Sequence, residues 1–440
     1  MAAKKIAIIG GASAYTPDII LGLIRHSREL AGSEIALMDI DQEHLEVIAA
    51  LSRRLAEHAG ADLRISHTTD RRRAVDQADF LLPQYRVGGL QGRFLDESIP
   101  LKYGVVGQET MGPGGLSFAM RSIPVALELA KDVQELAPNT WWLNYANPTS
   151  MVTQALTWST DLKVIGLCDA PVGMVYEIAR IFRYPLEGVT FDYKGINHCG
   201  WITAMYRDGR NVLPRLHRLV RWVPAGLIPD ERAGHVLRLF QRHGVVPNYY
   251  LAYHYFRQEM FQHARYDAER GGTRSQVIMK GLPDLYEHYR QVANAAEPRL
   301  TKHRGHASHA DLAVEVIVAM VTGRRQRFIV NVPNQGALED FAPDQVVEVP
   351  AWVDGSGYER IPMGRLPEFG ADLIRRVKHS EDLISRASIE GDRDLALEAF
   401  RAHPLTPSRD VAEKILDELL AAHRDHLPQF RRPTQAGQTT

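Results

Sequence analysis

The sequence predicts an α/β protein: a doubly wound parallel sheet joined to a second, mostly helical α+β region. Three observations carry this expectation. The chain opens with a short apolar strand, a glycine turn and an apolar-periodic helix, KIAIIGGASAYTPDIILGLIRHS. Strand-like and helix-like segments then alternate, with short connections, as far as residue 145, the pattern of parallel strands joined by crossover helices. Beyond residue 200 the apolar spacing becomes chiefly helical, with short strands between.

Length and composition set the bounds. At 440 residues, 45% hydrophobic and 24% charged, the chain has room for more than one domain and a large core. With 52 basic and 53 acidic side chains the formal net charge is −1. No overall field therefore favours nucleic acid or an anionic membrane. No apolar stretch approaches the roughly 20 residues of a membrane span, and the start MAAKKIAIIGG lacks the apolar core of a signal peptide. Two cysteines in so long a chain argue for a reducing compartment, so a cytoplasmic protein is expected.

The first unit reads as the opening of a Rossmann-like dinucleotide domain. Residues 5–9 form the strand, Gly10, Gly11 and Ser13 lie in the turn, and a helix follows. Such a turn brings backbone close to a pyrophosphate, and the helix start offers free N–H groups. The glycines are not a clean G-x-G-x-x-G: Ala12 and Tyr15 stand where the second and third would fall. EIALMDID then ends a second strand in Asp39, placed for a ribose hydroxyl. Asp41 is the alternative, or the cap of a helix over 42–58. ADLRIS, DRRRAVDQ and ADFLLPQ give a further strand, short helix and strand, with Arg71–Arg73 on a solvated helix face.

Residues 84–116 are glycine-rich and show little periodicity, so a long irregular connection is expected, of the kind that carries function; Arg93 lies in it. A helix is expected over 115–137. Next come WWLNYANPTS, KVIGLCDAPVG and GINHCGW, in which Asn147, Cys168, Asp169 and His198 each follow an apolar run. Residues at strand ends converge in an open α/β sheet. A thiolate and an imidazole suit a divalent transition metal, and a neighbouring carboxylic acid could move protons. Cys199, on the other face from His198 in an extended segment, is assigned to packing.

Further on, PNYYLAYHYF (247–256) reads as an aromatic layer and GGTRSQVIMKG places Arg274 after a glycine pair, where an anion contact is plausible. KHRGHASHA (302–310) has three histidines but no nearby cysteine, and is not read as a zinc site. The domains are expected at 1–195, the cofactor domain, and 196–425, the substrate and oligomerisation domain, with a disordered tail over 426–440.

Taken together, the motifs resemble the NAD- and manganese-dependent glycosidases of glycoside hydrolase family 4, and most of all their 6-phospho-α-glucosidases. The landmarks are KIAIIGGASAYTP, IPLKYGVVGQETMGPGG (99–115), NYANP (144–148), CDAP (168–171), NHCGW (197–201), PNYYL (247–251) and TR (273–274). The resemblance implies that Cys168 and His198 hold the metal, that Asp169 is the proton donor and that Tyr250 is the proton acceptor. It implies that Arg93, Asn147 and Arg274 contact the substrate and that the Gly10–Ser13 turn binds the cofactor phosphates. The implied reaction oxidises sugar carbon 3 with NAD. The metal then assists deprotonation at carbon 2, the aglycone is eliminated, water adds, and the hydride returns. The implied substrate is a phosphorylated sugar glycoside such as maltose 6-phosphate, and the family forms dimers or tetramers, which implies a homodimer or homotetramer here. NVPNQGA (331–337) is more like the phospho-β-glucosidase branch. A 6-phospho-β-glucosidase, a glycosidase of unphosphorylated glycosides and, in another class, an NAD-dependent dehydrogenase are the alternatives.

Overall fold

The computed structural model describes residues 2–181, 188–224, 226, 228, 230–304 and 307–431, without the side chains of 180–181 and 307–310. The first half runs β1 (Lys5–Ile9), α1 (Thr16–Arg25), β2 (Ser33–Met38), α2 (Gln42–His58), β3 (Leu63–Thr68), α3 (Arg71–Val75) and β4 (Phe80–Pro83). It continues with α4 (Gly89–Lys102), α5 (Gly112–Leu136), β5 (Trp141–Asn144), α6 (Thr149–Ser159) and β6 (Lys163–Gly166). These strands pair in parallel in the order β3-β2-β1-β4-β5-β6, which is the doubly wound, Rossmann-like order.

The period of two along β1 explains why helices cover both faces. Ile6 and Ile8 belong to one core, Ala7 and Ile9 to the other, so the strand is apolar at every position. The loop that was expected over 84–116 is in fact half helix. α4 buries Gly92, Asp96, Glu97, Ile99 and Pro100; with acidic side chains among its inward residues, it has no apolar stripe for periodicity to detect. Arg71 and Arg72 are not merely solvated, since both pair with Asp132 of α5.

The second half contributes α7 (Ala170–Ile181), β7 (Thr190–Ile196), β8 (Cys199–Arg207), β9 (Arg210–Asn211), α8 (Leu213–Val220), α9 (Glu231–His243) and β10 (Val246–Pro247). After these come α10 (Ala252–Tyr255), α11 (Arg257–Arg270), α12 (Arg274–Ala293), α13 (Ala307–Thr322), β11 (Gln326–Pro333), β12 (Val346–Asp354) and β13 (Gly357–Arg360). Helices α14 (Glu368–Glu390), α15 (Arg393–Ala402) and α16 (Arg409–Ala422) finish the fold. Its strands make no separate sheet. They extend the first one beyond β6 in the antiparallel order β11-β12-β7-β8-β10 and bring the sheet to 13 strands, with β13 on β12 and β9 on β8.

At the C-terminus, residues 426–431 are ordered rather than part of a loose tail. Leu427 is buried, and the Gln429 amide donates to the Met120 carbonyl at 2.8 Å. Residues 432–440 lie outside the described residues, as does His306 of the histidine-rich segment. Among the described residues no helix is long and apolar enough to cross a membrane.

Candidate active site

The glycine turn between β1 and α1 is built as a cradle. Gly10 sits at φ +92°, and a Cβ there would stand 2.7 Å from the Tyr85 nitrogen; one on Gly11 would stand 2.9 Å from the Met38 nitrogen. Both positions therefore need glycine. Gly10 N–H and Gly11 N–H both donate to the Met38 carbonyl, at 2.9 and 2.7 Å, and the Ser13 hydroxyl accepts from Tyr15 N–H at 3.3 Å. Asp39 accepts from Ala12 N–H at 3.0 Å through one oxygen and from Asp41 N–H at 3.1 Å through the other. Asp39 thus ties the turn to the end of β2, with burial pushing its carboxyl pKa up. Asp41 caps α2 by accepting from His44 N–H, leaving the half-buried Asp39 as the carboxylate beside the turn. A close backbone approach, a helix start and an acidic strand end fit a dinucleotide.

A second cluster lies where β6 ends. Cys168 is buried, and Asn197 hydrogen-bonds to its side chain; burial first, then the carboxylates of Glu348 and Asp169, push the thiol well up. His198 is not part of an extended segment. It occupies the tight turn from β7 to β8 at φ +62°, so its ring leaves the sheet while Cys199 enters the core. The separation expected of these two neighbours holds, but a left-handed turn causes it. The His198 ring stacks on Tyr250 with centroids 3.8 Å apart, and its Nδ1 lies 3.0 Å from the Thr110 hydroxyl. Burial pulls the imidazole pKa down to about 4, against Asp169 and Glu109. At neutral pH it is an unprotonated donor, as a metal ligand must be.

Tyr250 stands on a short turn, residues 249–251, capped by Asn248, whose side chain accepts from Tyr250 N–H at 3.1 Å. Burial pushes its phenol well up, and Tyr249, Glu109 and Cys168 add to the shift. Tyr250 therefore holds its proton unless positive charge is brought beside it. Sulfur and nitrogen donors of this kind suit a divalent transition ion. Among the described residues no group of three or more His, Cys, Asp or Glu could hold one; Cys168 and His198 are the two donors that the sequence puts forward.

Arginines close the pocket. Arg93 pairs with Glu97 at 2.6 Å and with Glu109 at 2.7 Å, and Glu109 also pairs with Arg86 at 2.5 Å. Despite burial, these arginines hold the Glu109 carboxyl below the usual range. Glu97 additionally accepts from the N–H and hydroxyl of Ser275, at 2.9 and 2.7 Å, which fixes the first turn of α12 and Arg274 with it. Arg304 lies over the Tyr15 ring at 5.1 Å. Burial first, and then the nearby positive charges of Arg274 and Arg93, hold its pKa down. The Asn147 side-chain amide oxygen accepts from the Thr149 hydroxyl at 3.2 Å beyond the end of β5, the strand beside β6. Cys168, Asp169, His198, Tyr250, Arg93, Arg274 and the turn's Tyr15 thus belong to one chain of contacts and fields. Asn147 follows the carboxyl end of β5, beside that of β6. Glu97, Glu109, Thr110, Asn197 and Arg304 join the site without having been singled out by sequence. Of these, Glu109, Thr110 and Asn197 sit inside motifs that were, whereas Glu97 looks like any helix acid.

The fold and this site define an enzyme built on a dinucleotide-binding sheet, with sulfur and nitrogen donors, an acid and a phenol gathered near the carboxyl end of β6. Comparison makes the class specific. The description "Family 4 glycosyl hydrolase" matches residues 5–184 and "Family 4 glycosyl hydrolase C-terminal domain" matches residues 193–406. The chain belongs to glycosyl hydrolase family 4, and is a glycoside hydrolase. It is 37% identical, over 97% of its length and 98% of the relative's, to the Probable 6-phospho-beta-glucosidase of Bacillus subtilis (strain 168). It is 31% identical, over 97% and 99%, to 6-phospho-alpha-glucosidase 1 of Lacticaseibacillus paracasei. Among solved structures, a 6-phospho-alpha-glucosidase from gut microorganisms in complex with NAD and Mn2+ superposes with a TM-score of 0.89 at 28% identity, covering 97% of this chain and 99% of that one. The 6-phospho-beta glucosidase of Thermotoga maritima with NAD and glucose-6-phosphate gives 0.86 at 31% identity, covering 97% and 99%.

Proposed function

We propose that this chain hydrolyses 6-phospho-α-glucosides, maltose 6-phosphate among them, using NAD and a divalent cation, manganese. The observation that carries the α assignment is Asp169 directly after the buried Cys168, with its charge felt at His198. In this reading residues 1–195 hold NAD, through Gly10, Gly11, Ser13 and Asp39, and residues 196–425 bring His198, Tyr250 and Arg274 to the sugar site. Cys168 and His198 hold the cation. Arg93, Asn147 and Arg274 orient the phosphorylated sugar. When bound, NAD supplies a hydride acceptor and the cation supplies positive charge at the sugar oxygens and beside the phenol. Tyr250 takes a proton from a sugar carbon, and Asp169 gives one to the departing glycosidic oxygen. The protein works as a homodimer or homotetramer in the cytoplasm.

A second reading, the 6-phospho-β-glucosidase, rests on NVPNQGA at 331–337 and on the higher identity to a relative carrying that name. Release of 4-nitrophenol from the α- and β-glucoside 6-phosphates and their unphosphorylated parents separates the two. Each substrate is run with NAD, Mn2+ and a thiol reductant, then with each omitted. The α-phosphate should turn over only with NAD and metal together, without NADH accumulating. Faster turnover of the β-phosphate hands the assignment to the second reading. Turnover indifferent to NAD removes the mechanism, and net NADH production makes the chain a dehydrogenase.

A further inference from the structure

The irregular glycine turn raises a physical question. With Ala12 and Tyr15 in place of two motif glycines, something else must set the backbone that faces the cofactor. Two tyrosines of α12 do this from outside. The Tyr286 hydroxyl donates to the Ala12 carbonyl at 2.7 Å and the Tyr289 hydroxyl to the Ala14 carbonyl at 2.8 Å. Tyr289 is fully buried and Tyr286 nearly so, so both bonds are shielded from water and leave an unsatisfied carbonyl if removed. α12 is also braced on the nucleotide half. The Tyr286 ring lies 4.1 Å from that of His44, centroid to centroid, and Arg290 pairs with Glu43 at 2.9 Å. At its other end, the first turn of α12 is held by Glu97, which also holds Arg93.

We propose that Tyr286 and Tyr289 are positioning residues for the cofactor: they hold the dinucleotide turn by its carbonyls and so fix the backbone shape against which NAD packs. α12 thereby links the arginine end of the sugar pocket to the cofactor turn through one helix. The inference rests on the reading that this chain binds NAD.

The test is NAD affinity, measured by calorimetry on the full chain and on Tyr286→Phe and Tyr289→Phe, beside the melting temperature and Mn2+ binding of the same preparations. Loss of either hydroxyl should raise the Kd for NAD about tenfold, the effect of one good hydrogen bond. The Mn2+ Kd should stay within twofold and the melting temperature of the NAD-free chain should fall by only a few degrees. NAD affinity within twofold of the parent in both variants overturns the proposal. Should a variant not fold, hydrogen exchange on the unaltered chain decides instead. Saturating NAD, with no sugar present, should protect residues 283–291 as well as 10–16. Protection confined to 10–16 and 36–41 defeats the proposal. An unaltered chain that binds no NAD defeats the cofactor reading itself, which keeps the two failures apart.

Discussion

At the scale of single residues, the site depends on burial acting on polar groups. Burial keeps His198 neutral, keeps Cys168 a thiol until a cation competes for its proton, and keeps Tyr250 a phenol. Tyr250→Phe preserves the ring against His198 but removes the proposed proton acceptor. It should lower kcat by roughly 100- to 10,000-fold and leave the NAD Kd within twofold, as single-turnover kinetics and calorimetry would show. Burial also creates a pH response away from the chemistry. Among the described residues neither ring nitrogen of buried His254 has a hydrogen-bond partner, and burial pulls its pKa to about 3. The unfolded chain takes up a proton near pH 6.5 while the folded one does not until about 3, so this group drains stability as pH falls through that window. At pH 5 the loss is about 2 kcal/mol. His254→Phe should therefore gain on the parent in melting temperature between pH 7 and pH 5; parallel melting curves across that range would refute the assignment.

At the scale of elements, α4 is the part that sequence pattern concealed and the site relies on. One face carries Arg93 and Glu97 into the pocket, and the other carries Asp96 into the core. Glu97→Gln leaves Arg93 with one acidic neighbour fewer and turns an acceptor of two Ser275 bonds into a partial donor. The expected result is a KM for the glucoside 6-phosphate raised about tenfold with a smaller change in kcat. A stability loss of about 3 kcal/mol should accompany it, since a buried ionic contact is broken on one side. Steady-state kinetics and urea titration measure both. An unchanged KM would separate α4 from the sugar site.

At the scale of the whole molecule, the two sequence regions share one sheet and its largest core cluster. The largest core cluster includes Ile6 and Ile8 with Tyr289, Val349 and Ile374, so it draws on both halves, while a smaller cluster around Tyr193, Ile202 and Phe240 belongs to the second half. Calorimetric melting should give one transition; two resolved transitions would contradict a shared core. The C-terminus is tied in by a buried group of three. Arg121 grips Asp96 with both guanidinium nitrogens, at 2.9 and 2.6 Å, and His423 reaches the same carboxylate at 3.1 Å. Arg121→Met strands that carboxylate and should cost about 3–5 kcal/mol in denaturant titration. A cost below about 1 kcal/mol would assign the fold's integrity elsewhere.

Sequence alone was sufficient for the parallel half, because strands buried on both faces are apolar throughout and the helices between them start at readable caps such as Asp41. It also marked Gly10, Gly11, Cys168, Asp169, His198 and Tyr250, because unusual residue types in ordered short motifs are local facts. Tertiary structure decided what depends on residues far apart in the chain. The later strands add to the first sheet instead of forming their own, α4 buries acids as much as hydrocarbon, and His198 leaves the sheet through a left-handed turn. Glu97 meets Ser275, and Tyr286 and Tyr289 meet the carbonyls of Ala12 and Ala14, across most of the chain's length. Hydrogen bonds between distant residues leave no periodicity behind, so only the folded chain reveals which polar side chains hold the cofactor turn and the pocket in place.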